Sequence, residues 1–112
     1  MESIFEVLAE PNRRAILSLL LSSQQSVGEI ERRLRMPQPL VSKHLRVLRE
    51  VGLAEVRDEG RQRLYRLNAQ PLEPIHEWVK QYERMWSQRF DRLDAVVQEL
   101  KESDDGDDDH DQ

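Results

Sequence analysis

The chain has 112 residues, 35% of them charged, no cysteine and a formal net charge of −5, which bounds it to one domain with a modest core and no roomy enzyme cleft with its own lid. The missing cysteines exclude disulfides, zinc–thiolate sites, thiol switches and cysteine nucleophiles. The negative sum argues against nucleic acid only until it is divided along the chain. Residues 102–112 hold seven acids and no Lys or Arg, which leaves 1–101 with 17 basic against 15 acidic residues and 26–67 with ten against six. No apolar run approaches the roughly 20 residues of a membrane span, and MESIFEVLAEP lacks a secretory layout, so a cytoplasmic protein is expected.

Ile4, Phe5 and Leu8 mark a short amphipathic helix that ends at Pro11. Pro11 starts the next helix, with Ile16, Leu17, Leu20 and Leu21 inward. Arg13 and Arg14 stand in its first turn, where cations oppose the helix dipole. Two readings stay open for them: solvation or pairing with Glu6 and Glu10, and contact with a DNA phosphate.

Residues 26–51 read as two helices joined by a tight turn. Ser26 and Glu29 form an S-x-x-E capping box, and Val27, Ile30 and Leu34 recur behind it at helical spacing. This helix stops near Arg35; Pro39 then fits the first turn of a second helix, Gln38 to Val51. There Val41, Leu45 and Leu48 share the inner face, and Gln38, Ser42, Lys43, Arg46 and Arg49 the outer one, with no carboxylate until Glu50. Amide, hydroxyl and cationic groups on one helix suit an anionic partner with hydrogen-bonding edges, and a helix of this diameter fits the major groove of B-form DNA. It reads as a recognition helix. His44 lies within it, with packing or a phosphate contact preferred over metal, and is counted among the DNA-facing residues.

Gly52 is the expected helix stop, after which the pattern alternates. LAEVRDEGRQRLYRL predicts strand, turn, strand over 54–67, with Ala54 and Val56 on one face, Tyr65 and Leu67 on a face of the return, and Asp58-Glu59-Gly60-Arg61 as the turn. Arg57, Arg61 and Arg63 near the tip make it a candidate DNA-binding wing; the alternative is a solvated hairpin whose Asp58 and Glu59 neutralise the arginines.

From Pro71 to Leu100, apolar residues at 72, 75, 79, 82, 86, 90, 93, 97 and 100 predict one long helix with a coiled-coil-like seam. About 28 residues would extend roughly 42 Å, too long for so small a domain to cover. A homodimer is therefore expected, with Ile75, Val79, Tyr82, Trp86, Phe90 and Leu93 at the interface, joined by Ile4, Phe5 and Leu8. The stretch 101–112, KESDDGDDDHDQ, has no apolar residue and is expected to be a disordered acidic tail, serving solubility or competing with DNA for the basic face.

LAEPNRRAILSLL (8–20), SVGEIERRLRMPQPLVSKHLRVLREVGL (26–53) and the hairpin ending in RLYRLN (63–68) together resemble the ArsR/SmtB-type winged-helix repressors, over nearly the whole chain from Ile4 to Leu100. The resemblance implies a mainly α fold with a β-hairpin wing, a winged helix-turn-helix. It also implies a homodimer through the N- and C-terminal helices, a palindromic double-stranded DNA operator, and transcriptional repression.

Three departures qualify it. The cysteines used by arsenic- and soft-metal-sensing members are absent. Zinc- and nickel-sensing members place His and carboxylate ligands on the last helix, where this chain offers only His76 with Glu73, Glu77, Asp91 and Asp94, too thin a set for a credible site, so no metal or cofactor is assigned. Pro37 stands where relatives commonly have a capping Ser, at a cost of about 1 kcal/mol. The closest likeness is to the cysteine-free branch with Trp and Tyr on the last helix, here WVKQYERMWSQRFDRL (78–93). Trp78, Tyr82, Trp86 and Phe90 are read as core against a partner, with a pocket for an unidentified small-molecule effector as the other reading.

The function expected is a sequence-specific DNA-binding regulator, with domain 1–100 and tail 101–112. A winged-helix protein-interaction module is the alternative. An enzyme is not expected, for want of a nucleophile, a Gly-rich phosphate loop or a ligand cluster.

Overall fold

The computed structural model describes residues 3–103, with the side chains of 3–88, 99 and 100. The chain forms two compact units, residues 1–75 and 76–112.

The first unit begins with α1, Ile4–Leu8, closed by a capping box in which the Ser3 hydroxyl accepts from the Glu6 amide and the Glu6 carboxylate accepts from the Ser3 amide. Its fully buried residue is Val7; Ile4 and Leu8 are partly buried against the same core. In α2, Pro11–Ser22, Pro11 occupies the first turn, and the Glu10 carboxylate accepts from the Asn12 amide at 2.7 Å. Arg13 and Arg14 make contacts that neither of the two expected readings named. The Arg13 guanidinium donates to the carbonyls of Val7 (2.7 Å) and Glu6 (3.3 Å), and Arg14 donates to that of Leu8 (2.7 Å). These carbonyls close α1, so charge that is badly placed for the dipole of α2 is well placed for the C-terminus of α1.

Ile16, Leu17 and Leu20 are buried as expected, but Leu21 is 74% exposed, which corrects its inward assignment. At 100° per residue it lies about 90° from the centre of the stripe formed by Arg13, Ile16, Leu17 and Leu20.

A two-residue strand, β1 (Gln25–Ser26), precedes α3 (Val27–Leu34) and was not anticipated. In α3 the capping box holds: the Ser26 amide donates to Glu29 at 2.7 Å, and the Glu29 amide to the Ser26 hydroxyl at 3.2 Å. Arg35 ends the helix in a left-handed conformation (φ 54°), while the Met36 amide reaches back to the Glu31 carbonyl and its side chain joins the core.

The second helix, α4, spans Gln38–Glu50 and buries Val41, Leu45 and Leu48. Pro37 provides no side-chain cap; its carbonyl accepts from the Leu40 and Val41 amides. Gly52 (φ 83°) stops the helix, with Gly52 N–H bonded to Arg49 O and Leu53 N–H to Leu48 O, the paired closing bonds of a Schellman motif.

The hairpin follows as β2 (Ala54–Glu59) and β3 (Gln62–Leu67), tightly joined at Gly60 (φ 63°) and Arg61. Ala54 faces Leu67, Val56 faces Tyr65 and Asp58 faces Arg63. β1 adds to the other edge of β3, Gln25 opposite Tyr65, so the sheet order is β1-β3-β2. Asn68 ties the end of β3 to the α4–β2 corner through its amide to Leu53 O (2.8 Å) and its side chain to Gly52 O (3.0 Å). The core under this sheet gathers Val7, Ile16, Ile30, Val41, Leu45, Leu48 and Leu53, all with side chains essentially closed to solvent.

After a 3-10 turn at Gln70–Leu72 comes α5, Glu73–Ser103. It begins two residues later than the pattern suggested, because Pro71 sits in the preceding turn, and it runs on to Ser103. The remaining acidic stretch, 104–112, lies outside the described residues. Among the described residues no helix is long and apolar enough to cross a membrane.

Candidate nucleic-acid interface

Because Val41, Leu45 and Leu48 are held in the core, the other side of α4 is fixed outward. Gln38, Lys43, Arg46 and Arg49 are exposed, and Ser42 is half-buried beside them. The Gln38 side-chain amide donates to the Ser42 hydroxyl at 3.0 Å, which orders the two polar groups at the start of the helix. Among the described residues, Lys43, Arg46 and Arg49 form no ion pair.

His44 requires a correction. It was counted among the DNA-facing residues, but its ring is 4% exposed and turned into the domain, and neither ring nitrogen has a hydrogen-bond partner. Burial lowers its pKa below the ordinary 6.5; Glu10 opposes that shift, and Arg13 and Lys43 add to it. An imidazole here is a packing group. At 100° per residue His44 falls about 60° from Val41 and about 40° from Leu48, on the inner side, so the helical wheel carried the signal.

The wing carries its cations differently. Arg57 lies 3.5 Å from Glu59 and donates to the Gln24 side chain, Arg63 lies 3.5 Å from Asp58, and Arg66 lies 2.9 Å from Glu55. The sequence reading passed over Arg66, whose partner is its cross-strand neighbour in the register. All three bridges are largely exposed, so each contributes on the order of 1 kcal/mol or less and yields readily to a competing phosphate. Arg61 stands exposed at the turn. The register also puts Arg57 and Arg63 on opposite faces of the hairpin.

In the second unit α5 exposes large apolar side chains: Trp78 (52%), Tyr82 (40%), Met85 (57%) and Trp86 (46%), with the Trp78 and Tyr82 rings edge-to-face at 5.6 Å. Val79 is half-buried, as is Ile75 at the end of the first unit, and Phe5 of α1 is 51% exposed. Phe90 and Leu93 lie outside the described side chains, as do Asp91 and Asp94. His76 is exposed, 3.7 Å from Glu77. Among the described residues no three His or carboxylate side chains are grouped to hold an ion.

Comparison with known proteins bears on this arrangement. Residues 10–56, from the start of α2 into β2, match the model of the arsR family of bacterial regulatory proteins. The chain is 44% identical over 64 residues to the HTH-type transcriptional repressor SmtB of Mycobacterium tuberculosis, covering 57% of this chain and 47% of that protein. To the HTH-type transcriptional regulator Rv2034 of the same organism it is 34% identical over 83 residues, covering 74% and 75%. The solved structure of a possible transcriptional regulator for arsenical resistance superposes with a TM-score of 0.64 at 36% identity, covering 86% of this chain and 97% of that one. The chain spans about half the length of SmtB. The fold is thus the winged helix-turn-helix, and the chain belongs to the arsR family of bacterial regulatory proteins.

Proposed function

We propose that this protein is a cytoplasmic DNA-binding transcriptional regulator, a homodimeric repressor that binds a palindromic operator. The observation that carries the reading is the outer face of α4: Gln38, Lys43, Arg46 and Arg49 exposed, with no ion pair on the three cations among the described residues, on a helix whose opposite face is locked in the core. In this reading Gln38, Ser42 and Lys43 meet base edges, while Arg46, Arg49, Arg57, Arg61 and Arg63 hold phosphates or the minor groove. The exposed aromatic residues of α5 supply a surface on which a second copy docks, and Phe5 of α1 is a further dimer contact in this reading. Two-fold symmetry then requires two half-sites about one helical turn apart. The name of the SmtB relative supports repression as the outcome.

The reading is tested by footprinting the protein on its own promoter region, with sedimentation at the same concentrations. Protection of two symmetric half-sites by a dimer is expected. No protection by micromolar protein at low salt overturns it.

A further inference from the structure

Between the start of α3 and strand β3 lies an open depression of about 470 Å³, lined in part by Ser26, Gly28, Glu29, Arg32, Gln62 and Arg63. Its one acid is already committed. The Glu29 carboxylate closes the capping box on the Ser26 amide, and that bond leads the causes that lower its pKa, with Arg33 and Arg32 adding to them. One first-turn amide is committed as well, since the Glu29 N–H is spent on the Ser26 hydroxyl. The cations that face the hollow are Arg32 and Arg63.

Arg32 does not extend into solvent away from the helix. A Cβ placed on Gly28 would stand 3.5 Å from Arg32 Nη1, so the guanidinium is folded back by one turn and lies over the bare backbone of Gly28. There it faces the same hollow as Gln62 and Arg63 from the wing. Among the described residues it forms no ion pair, whereas Arg63 is 3.5 Å from the exposed Asp58. A planar fork with no acid of its own, an amide donor and a second, loosely paired arginine around one concavity make a set suited to a tetrahedral anion.

We propose that this depression seats one phosphodiester group of the duplex, gripped by Arg32 with Gln62 and Arg63, so that the first helix of the helix-turn-helix and the wing clamp the same stretch of backbone. The proposal rests on the DNA-binding reading above. Arg32 is a positioning contact here: it fixes where the protein sits along the duplex and carries no base preference.

The test is a salt series of equilibrium binding, read by fluorescence anisotropy, with the full chain and a labelled duplex of its promoter region. Wild type is compared with Arg32→Gln, Arg32→Ala and Arg32→Lys, each checked for a native thermal melt; Arg32 is exposed, and Arg32→Gln keeps a long polar side chain if Arg32→Ala folds poorly. Loss of one phosphate contact lowers the slope of log affinity against log salt by about 0.9, so the penalty at about 50 mM salt exceeds that at about 200 mM by roughly 3.5-fold. It should be the same on specific and scrambled duplexes, and Arg32→Lys should restore the slope. Wild-type binding with an unaltered slope in natively folded Arg32→Gln overturns this proposal alone. Failure of the wild type to bind any duplex overturns it together with the reading it rests on.

Discussion

Helix α4 and the wing both display arginines, yet the two regions hold them in different electrical states. On α4 the cations have no acidic partner among the described residues, and the helix under them is fixed by Val41, Leu45 and Leu48. On the wing Arg57, Arg63 and Arg66 each lean on a neighbouring carboxylate, and the strands are buried only at their base. A helix so anchored offers a standing positive surface of fixed geometry. The wing offers charge that must first be released, at little cost because the bridges are solvated. Such a division suits base reading by the first and adjustable backbone contact by the second.

The contrast breaks most severely if the anchoring is removed. Leu45→Ala, 1% exposed in the wild type, should cost about 2–5 kcal/mol in denaturant unfolding and abolish DNA retention, whereas Arg61→Ala should leave stability within about 0.5 kcal/mol. Equal destabilisation by the two would erase the distinction. Next in size, Lys43→Ala should cost about 1–3 kcal/mol on the preferred operator and far less on scrambled DNA, measured by competition binding. A uniform loss across sequences would assign Lys43 to the backbone instead.

The anchored face also carries a pH signature. His44 is held below its ordinary pKa by burial, so between the folded and unfolded values the unfolded chain binds more protons. Its contribution to stability is therefore complete above about pH 6.5 and is lost as pH falls through that value, levelling off once the folded site protonates too. Thermal melts from pH 7.5 to 5 should show this decline in the wild type and a shallower one in His44→Gln; identical profiles would count against it. The smallest effect belongs to the wing. Asp58→Asn frees Arg63 and should tighten DNA binding a few-fold at low salt, with a stability change within about 0.5 kcal/mol. Weaker binding would mean that the bridge orients Arg63 for contact.

What could be read from residue order alone follows from how local each interaction is. The Ser26–Glu29 box and the Gly52 stop are built from groups three to five positions apart, the β2–β3 hairpin zips outward from a turn that closes at Glu59 and Gln62, and each was visible as a spacing. β1 was invisible because two residues cannot display an alternation, and its pairing with Tyr65 and Leu64 is made some 40 positions away. Arg13 and Arg14 resisted reading for another reason: their acceptors are backbone carbonyls, which every residue possesses and no letter announces. Of the candidate site, the outer row of α4 was legible from the wheel. His44 was misplaced because its chemistry was weighed above its angle. The part played by Arg32 depends on a glycine one turn away that leaves room for it, a relation between an absence and a side chain.

The bonds from Arg13 and Arg14 to the end of α1 have a practical corollary for anyone shortening the protein. Trimmed to begin at Pro11, the chain would forfeit more than a loose end. Two guanidinium groups would face water where they now grip a helix, and the socket vacated by Val7 would open the floor of the domain. Residues 3–10 behave as a bolt, and affinity handles belong ahead of that bolt, never in place of it.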